Sequence, residues 1–178
     1  MRRAPGMIAA LAVVVALGAG ASASADPLVP GYGRVAPVES PGMAPDPSVD
    51  YKVVLSATKA GPGDSPSMAL DHAARLANIL DAFHVPPEHR HIVVVIHGMA
   101  TPSVLNPDGL KAHDLKDNPN AELISRLIAA GVQVHVCGQA LAAFKITRDQ
   151  MLAGIQVDES ALTTLAGLQL KGYALIPD

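Results

Sequence analysis

The chain has few cysteines and few aromatic residues, and both shortages exclude functions. Its 178 residues include one cysteine, no tryptophan, three tyrosines and two phenylalanines. A single cysteine cannot close an intramolecular disulfide, so a disulfide-stapled scaffold is excluded. With a formal net charge of −3 and so few rings for stacking, the chain offers no surface suited to nucleic acid, and we expect no nucleic-acid partner.

Residues 1–25 have the pattern of a secretory signal peptide. A basic pair is followed by an uncharged apolar run, Met7 to Leu17, and then by the small-x-small cleavage site Ala23-Ser24-Ala25. The apolar run is too short to span a bilayer comfortably, and no second run of spanning length follows it. We therefore expect cleavage before Asp26, a periplasmic or secreted mature protein, and no membrane span after cleavage.

Residues 26–50 are rich in proline and glycine. Proline removes backbone donors and the segment has little apolar surface to bury, which predicts an extended or disordered arm or linker. An alternative role for this arm is to clasp a neighbouring subunit. Residues 51–178 are predicted to form one domain, because a chain with 49% hydrophobic and 16% charged residues is typical of folded proteins.

Short apolar segments alternate with helical patterns throughout the domain. The five predicted strands are YKVVLSA (51–57), HIVVVIHG (91–98), VQVHVC (132–137), GIQVD (154–158) and YALIP (173–177). This alternation predicts right-handed crossovers and an α/β fold, with a five-stranded parallel sheet flanked by helices on both sides, as in flavodoxin-like and Rossmann-like three-layer domains.

Caps and breakers predict where the helices between these strands begin and end. Ser65 with Pro66, and Asn118 with Pro119, have the pattern of helix starts. Ser160 is a further predicted N-cap. The connection over residues 99–120 is polar and longer than usual, which predicts a lid over a functional site.

The carboxyl ends of the second and third strands hold the candidate site residues. Ligands of open α/β sheets bind beyond such ends, and these two strands end in His97-Gly98 and Cys137-Gly138. If the strands are neighbours, His97 and Cys137 share one rim. A helix starting near Gly138 would favour a thiolate at Cys137, and the glycine would let the backbone approach a ligand. The alternatives are a packed cysteine and a histidine that caps a loop.

The sequence shows no motif for a bound cofactor, and none is expected. Gly61-Pro62-Gly63 follows the first strand, but Pro66 stands where a dinucleotide-binding loop needs its third glycine. A metal site built from His97, His113 and Cys137 is conceivable, yet no pair of them has a tight ligand spacing. His135 alternates with Cys137 along the strand and so shares its face of the sheet.

Several of these segments together resemble the DsrE/DsrF-like (YchN-like) family. They are IVVVIHG, NPNAELISRLIAAGVQVHVCGQAL, MLAGIQV and ALTTLAGLQLKGYALIP, and the resemblance covers roughly Tyr51 to Asp178. It implies a five-stranded parallel sheet and homo-oligomers, commonly trimers or hexamers. It also implies that Cys137 carries sulfur as a persulfide and that His97 lines the same pocket. The signal peptide and the proline-rich arm depart from the family's well-known members, so the sulfur donor and acceptor stay unidentified.

Three functions remain open from the sequence. The first is an exported sulfur-relay-like protein, a persulfide carrier or sulfurtransferase-like enzyme, with Cys137 as the reacting group and His97, Gly98 and Gly138 around the substrate. The second is a metal-binding or ligand-binding module without turnover. The third is an oligomeric scaffold in which Cys137 is a structural core residue.

Overall fold

The computed structural model describes residues 26–62 and 64–177, and the signal peptide predicted for residues 1–25 lies outside them. The strands of the described residues are β1 (Tyr51–Ala57), β2 (Arg90–Ile96), β3 (Gln133–Cys137), β4 (Gln156–Asp158) and β5 (Ala174–Ile176). The helices are α1 (Met68–Ala82), α2 (Pro107–Ala112), α3 (Ala121–Ala129), α4 (Gly138–Phe144) and α5 (Ala161–Leu170). Three 3₁₀ turns connect them, at Pro87–His89, Gly98–Val104 and Arg148–Gln150. None of the helices described is long and apolar enough to cross a bilayer.

The strands form one parallel sheet in the order β4-β3-β2-β1-β5. The predicted five-stranded parallel sheet with flanking helices is confirmed. β2 lies at the centre, and its residues Ile92 to Ile96 are all buried, as the continuous apolar run predicted. Because β2 and β3 are neighbours, their carboxyl ends meet at one edge of the sheet.

The two faces of the sheet are covered unequally. One face packs against α1 and α3 and forms the larger buried cluster. The opposite face, which we term the α5 face, has a smaller cluster that joins strand residues to Ala161 of α5: Val54, Val93, Val95 and Cys137. Two leucines of α5 project outward instead, since Leu162 is 81% and Leu170 is 90% exposed.

Two predicted helix starts are each wrong by two residues. Helix α1 begins at Met68 rather than Pro66, and its N-cap residue is Ser67, whose backbone N–H donates to Asn120 Oδ1 at 2.7 Å. Helix α3 begins at Ala121, with Asn120 as the N-cap residue. The other predicted N-cap, Ser160, is confirmed.

The first part of the connection predicted to be a lid is instead packed into the domain. The 3₁₀ turn and α2 occupy much of the connection, and Thr101 and Ser103 are buried. The buried side-chain amide of Asn118 donates to the carbonyls of Ser103 at 2.8 Å and Leu105 at 2.9 Å, which fixes both ends of the connection against the core. Most residues between 107 and 117 are exposed.

The proline-rich arm has no helix or strand, and its first residues pack on α1. Val29 is fully buried, and its backbone N–H donates to the side-chain oxygen of buried Asn78 at 2.7 Å. The amide of Asn78 donates in return to the carbonyls of Val29, Tyr32 and Gly33. The sequence predicted no contact between this arm and the domain.

Candidate functional site

Cys137 lies in a row of three residues across the carboxyl edge of the sheet. The β2–β3 register pairs Ile96 with Val136, so the residues that follow, His97 and Cys137, lie side by side. On its other side Cys137 pairs with Asp158 of β4. The structure therefore brings His97 and Cys137 to one rim of the sheet, together with a carboxylate that the sequence analysis did not include.

The Cys137 side chain is largely buried. It is 6% exposed and belongs to the small cluster of the α5 face. Cys137 is also the N-cap residue of α4, and its side chain makes no capping hydrogen bond. Cys137 thus lies directly before a helix, as predicted, and is also a packed thiol, which was the alternative. Its reactivity therefore depends on whether a reagent can reach the sulfur.

His97 is held against the neighbouring strand. Its backbone N–H extends the β1–β2 ladder by donating to Ala57, and its Nε2 lies 2.9 Å from Ser56 Oγ. Partial burial lowers the pKa of His97 below its usual value of 6.5, because desolvation disfavours the charged ring. His97 is therefore neutral near pH 7, and it can exchange hydrogen bonds with a ligand without adding a charge to the rim.

A partly buried polar network lies beside Cys137 on the same face of the sheet. His135 Nδ1 lies 2.8 Å from Asp158 Oδ2, and Thr164 of α5 donates its hydroxyl to the same oxygen at 2.7 Å. The side chains of His135 and Asp158 are 13% and 23% exposed. Sequence reasoning found His135 but missed Asp158 and Thr164, although Asp158 ends a predicted strand and the strand-end rule could have found it.

Gly98 and Gly138, the two glycines of the rim, are each constrained to be glycine by a different feature of the structure. Gly98 is exposed and has a φ of +56°, a conformation that other residues rarely adopt. Gly138 has no such backbone, but a side chain there would place its Cβ 2.7 Å from the carbonyl oxygen of Asp158. The space at Gly138 that was predicted for a ligand is filled by the end of β4.

The structure does not assemble the candidate metal site. His113 lies at the end of α2, where its Nε2 is 3.3 Å from Gln150 Oε1. No group of three or more His, Cys, Asp or Glu side chains in residues 26–62 and 64–177 is arranged to hold a metal ion. His97, His113 and Cys137 are therefore not a ligand set in this structure.

Two surface depressions lie away from Cys137. One of about 540 Å³ lies between the arm and α1, with Tyr32 and Asn78 in its wall. Another of about 420 Å³ lies beyond the end of β1, next to Lys59 and His72. Neither is lined by His97, His113 or Cys137. The candidate metal-site residues thus line neither of these depressions.

Comparison with known proteins identifies the family of the fold. The model of the DsrE/DsrF-like family matches residues 52–177. A search of curated proteins found no match. Among solved structures, the ychN protein of E. coli is 17% identical with a TM-score of 0.53, over 71% of this chain and 98% of that one. The MTH1491 protein of Methanobacterium thermoautotrophicum, a protein of unknown function, is 21% identical with a TM-score of 0.52, over 72% of this chain and 100% of that one.

Proposed function

This chain belongs to the DsrE/DsrF-like family, and on that basis we propose that it accepts and passes sulfane sulfur on Cys137. The family is associated with sulfur relay in general, and Cys137 is the single thiol of the sequence. The observation that carries the proposal is the position of Cys137 between His97 and Asp158 at the carboxyl edge of the sheet. Ligand sites of parallel sheets lie at this edge.

The transfer step needs no cofactor. The Cys137 thiolate attacks the outer sulfur of a donor persulfide, R–S–SH, so that a new S–S bond forms and the donor S–S bond breaks. The donor leaves as a thiolate and takes up the proton that Cys137 lost. In sum, Cys–SH and R–S–SH give Cys–S–SH and R–SH without net oxidation. Passing the sulfur to an acceptor thiol repeats the same exchange.

The neighbours of Cys137 suit this role. His97 lies beside Cys137 on the rim, where burial disfavours its charged form, and Gly98 next to it is exposed. A carrier also benefits from having no second cysteine, because nothing within its own chain can displace the sulfur by forming a disulfide.

Burial favours a second candidate function, an oligomeric scaffold with a structural cysteine. Free cysteine is often a small core residue, and the 6% exposure of Cys137 fits that role. The two functions differ in what the folded protein does with a sulfur donor, because a structural thiol stays unmodified until the chain unfolds.

The intact mass of the folded protein after exposure to polysulfide separates the two functions. We expect a gain of about 32 Da, one sulfur atom, that is removed by a reducing thiol and absent from Cys137→Ser. No gain in the native wild type, or an equal gain in Cys137→Ser, would contradict the carrier role. Modification only after denaturation would show that Cys137 is a structural residue, as the second function requires.

We also propose that the mature protein acts outside the cytoplasm as a homo-oligomer. Export is supported by the signal-peptide pattern of residues 1–25. Self-association is supported by the exposed leucines of α5 and by the exposed edge strand β5, where Leu175 is 40% and Ile176 is 39% exposed. Cell fractionation with N-terminal sequencing tests the first proposal, and light scattering of the purified protein tests the second.

A further inference from the structure

His135 stands out among the polar side chains of the α5 face, because only one of its two ring nitrogens has a partner. Its Nδ1 faces Asp158 Oδ2, and since a carboxylate can only accept, Nδ1 carries the hydrogen. Its Nε2 is buried and has no hydrogen-bond partner among the described residues. Buried polar atoms in folded proteins are almost always paired, so an unpaired one needs an explanation.

Asp158 and Thr164 prepare this ring to accept a proton. The Thr164 hydroxyl donates to the same Asp158 oxygen that receives the His135 N–H, so the carboxylate is held by β3 and α5 together. With the hydrogen fixed on Nδ1, the neutral ring has its lone pair on Nε2. If Nε2 takes up a proton, the resulting imidazolium is already paired with a carboxylate 2.8 Å away.

His135 is also close to the thiol. It precedes Cys137 by two residues on β3, so both side chains lie on the α5 face. Two residues of a strand span about 6.6 Å between Cα atoms. Asp158 holds the His135 ring, and Nε2 makes no hydrogen bond to the thiol in this structure, so proton transfer requires the Cys137 side chain to turn toward the ring.

We propose that His135 is the proton acceptor that converts Cys137 to its thiolate, with Asp158 and Thr164 as positioning residues. The proposal rests on the proposed sulfur transfer. The proton moves from Cys137 Sγ to His135 Nε2, the thiolate attacks R–S–SH, and the proton then passes to the departing R–S⁻ to give R–SH. On unrelated folds, a histidine paired with a carboxylate accepts the proton of a catalytic nucleophile in the same way.

The other ionisable groups around the thiol fit this role less well. His97 follows β2 and lies next to Cys137 at the strand ends, but its Nε2 is engaged by Ser56 of β1 and no carboxylate is bonded to its ring among the described contacts. Tyr173 follows α5 and packs against the same cluster, and Glu159 lies in the turn after Asp158, where it accepts from Gln139. Helix α5 itself has no charged residue.

The test is the rate of Cys137 modification as a function of pH, measured with two small reagents, iodoacetamide and polysulfide. We compare the wild type with His135→Gln and Asp158→Asn, and with the control His91→Gln on β2 at the opposite edge of the sheet. At pH 7 the wild type should be modified roughly tenfold or more faster than His135→Gln, because an ordinary thiol without a proton acceptor is only about 3% ionised there. The difference between the two proteins should shrink at high pH, where hydroxide removes the proton.

Each outcome has a distinct meaning. Identical pH profiles in the wild type and His135→Gln would overturn the proposal, even if the variant unfolds at a lower temperature, because a purely structural network affects stability and not the profile. Sulfur uptake by wild type with unchanged profiles leaves the proposed function intact and removes His135 from it. A changed iodoacetamide profile without sulfur uptake would support His135 as the proton acceptor of Cys137 and would contradict the proposed sulfur transfer. If His135→Gln fails to fold, Thr164→Val takes its place, with a smaller shift in the same direction expected and an unchanged profile counting against the proposal.

Discussion

Cys137 and Asp158 are register partners across the β3–β4 pair, and the carbonyl of Asp158 occupies the space that a side chain on Gly138 would need. The thiol, its neighbouring glycine and the carboxylate that holds His135 are thus one packed unit. A change that separates β4 from β3 should alter stability and thiol chemistry together.

Gly138→Ala should therefore destabilise the protein. The added Cβ would lie 2.7 Å from the backbone oxygen of Asp158, which cannot move aside as the end of a flexible side chain could. Such overpacking costs about 1–3 kcal/mol. Gly167→Ala is the matched control, because Gly167 lies within α5 with nothing within 4 Å of the added Cβ. That control should stabilise by roughly 0.5–1 kcal/mol. Urea unfolding of both variants measures the difference, and equal effects would contradict this description of Gly138.

The arm provides a second prediction, since Val29 is fully buried and Val38 is 70% exposed within the same proline-rich segment. Val29→Ala should lower the free energy of unfolding by about 1–3 kcal/mol. Val38→Ala should change it by no more than about 0.5 kcal/mol. Protease cleavage within residues 26–50 should be faster in Val29→Ala only. Equal cleavage of the two variants would mean that the arm does not pack on α1 in solution.

The strand pattern was sufficient to predict the fold but not the order of its strands or the tertiary polar contacts. The apolar run of β2 and the alternation of elements specify a parallel sheet, whereas the adjacency of β2 and β3, which places His97 beside Cys137, is visible only in the structure. The sequence did not predict the hydrogen bonds of buried Asn78, because its partners on the arm lie more than 40 residues away in sequence and no local pattern marks them. The same holds for Asn118, whose amide hydrogen bonds fix both ends of the predicted lid against the core.

Burial of Cys137 predicts that reagent size controls its reactivity. At 6% exposure, the ratio of the native to the denatured modification rate should be higher for iodoacetamide or polysulfide than for a bulky aromatic disulfide. The ratio for each reagent removes its intrinsic reactivity and leaves the effect of access. Rates measured for each reagent, native and denatured, give the comparison. Equal ratios for small and bulky reagents would show that access does not limit the reaction.

The exposed leucines of α5 predict where self-association can be weakened. Leu170→Glu places a charge on a side chain that is 90% exposed, so the fold of one chain should be unaffected. If α5 lies in the interface of a homo-oligomer, the charge should weaken association at least about tenfold. Met68→Glu on α1, where Met68 is 59% exposed, is the control and should leave association unchanged. Sedimentation velocity distinguishes the two, and equal association in both variants would exclude α5 from the interface.

His97 predicts a pH dependence of stability with a definite sign. Burial keeps the pKa of His97 in the folded protein below 6.5, whereas the unfolded chain has the ordinary value. As the pH falls through 6.5, the unfolded state takes up its proton first, so acid lowers the stability of the fold through this group. Above that pH His97 is neutral in both states and contributes no pH dependence. Unfolding of wild type and His97→Gln should therefore differ by a constant amount above about pH 7, and below it the wild type should lose stability more steeply. Parallel curves down to pH 5 would show that protonation of His97 costs the folded protein nothing.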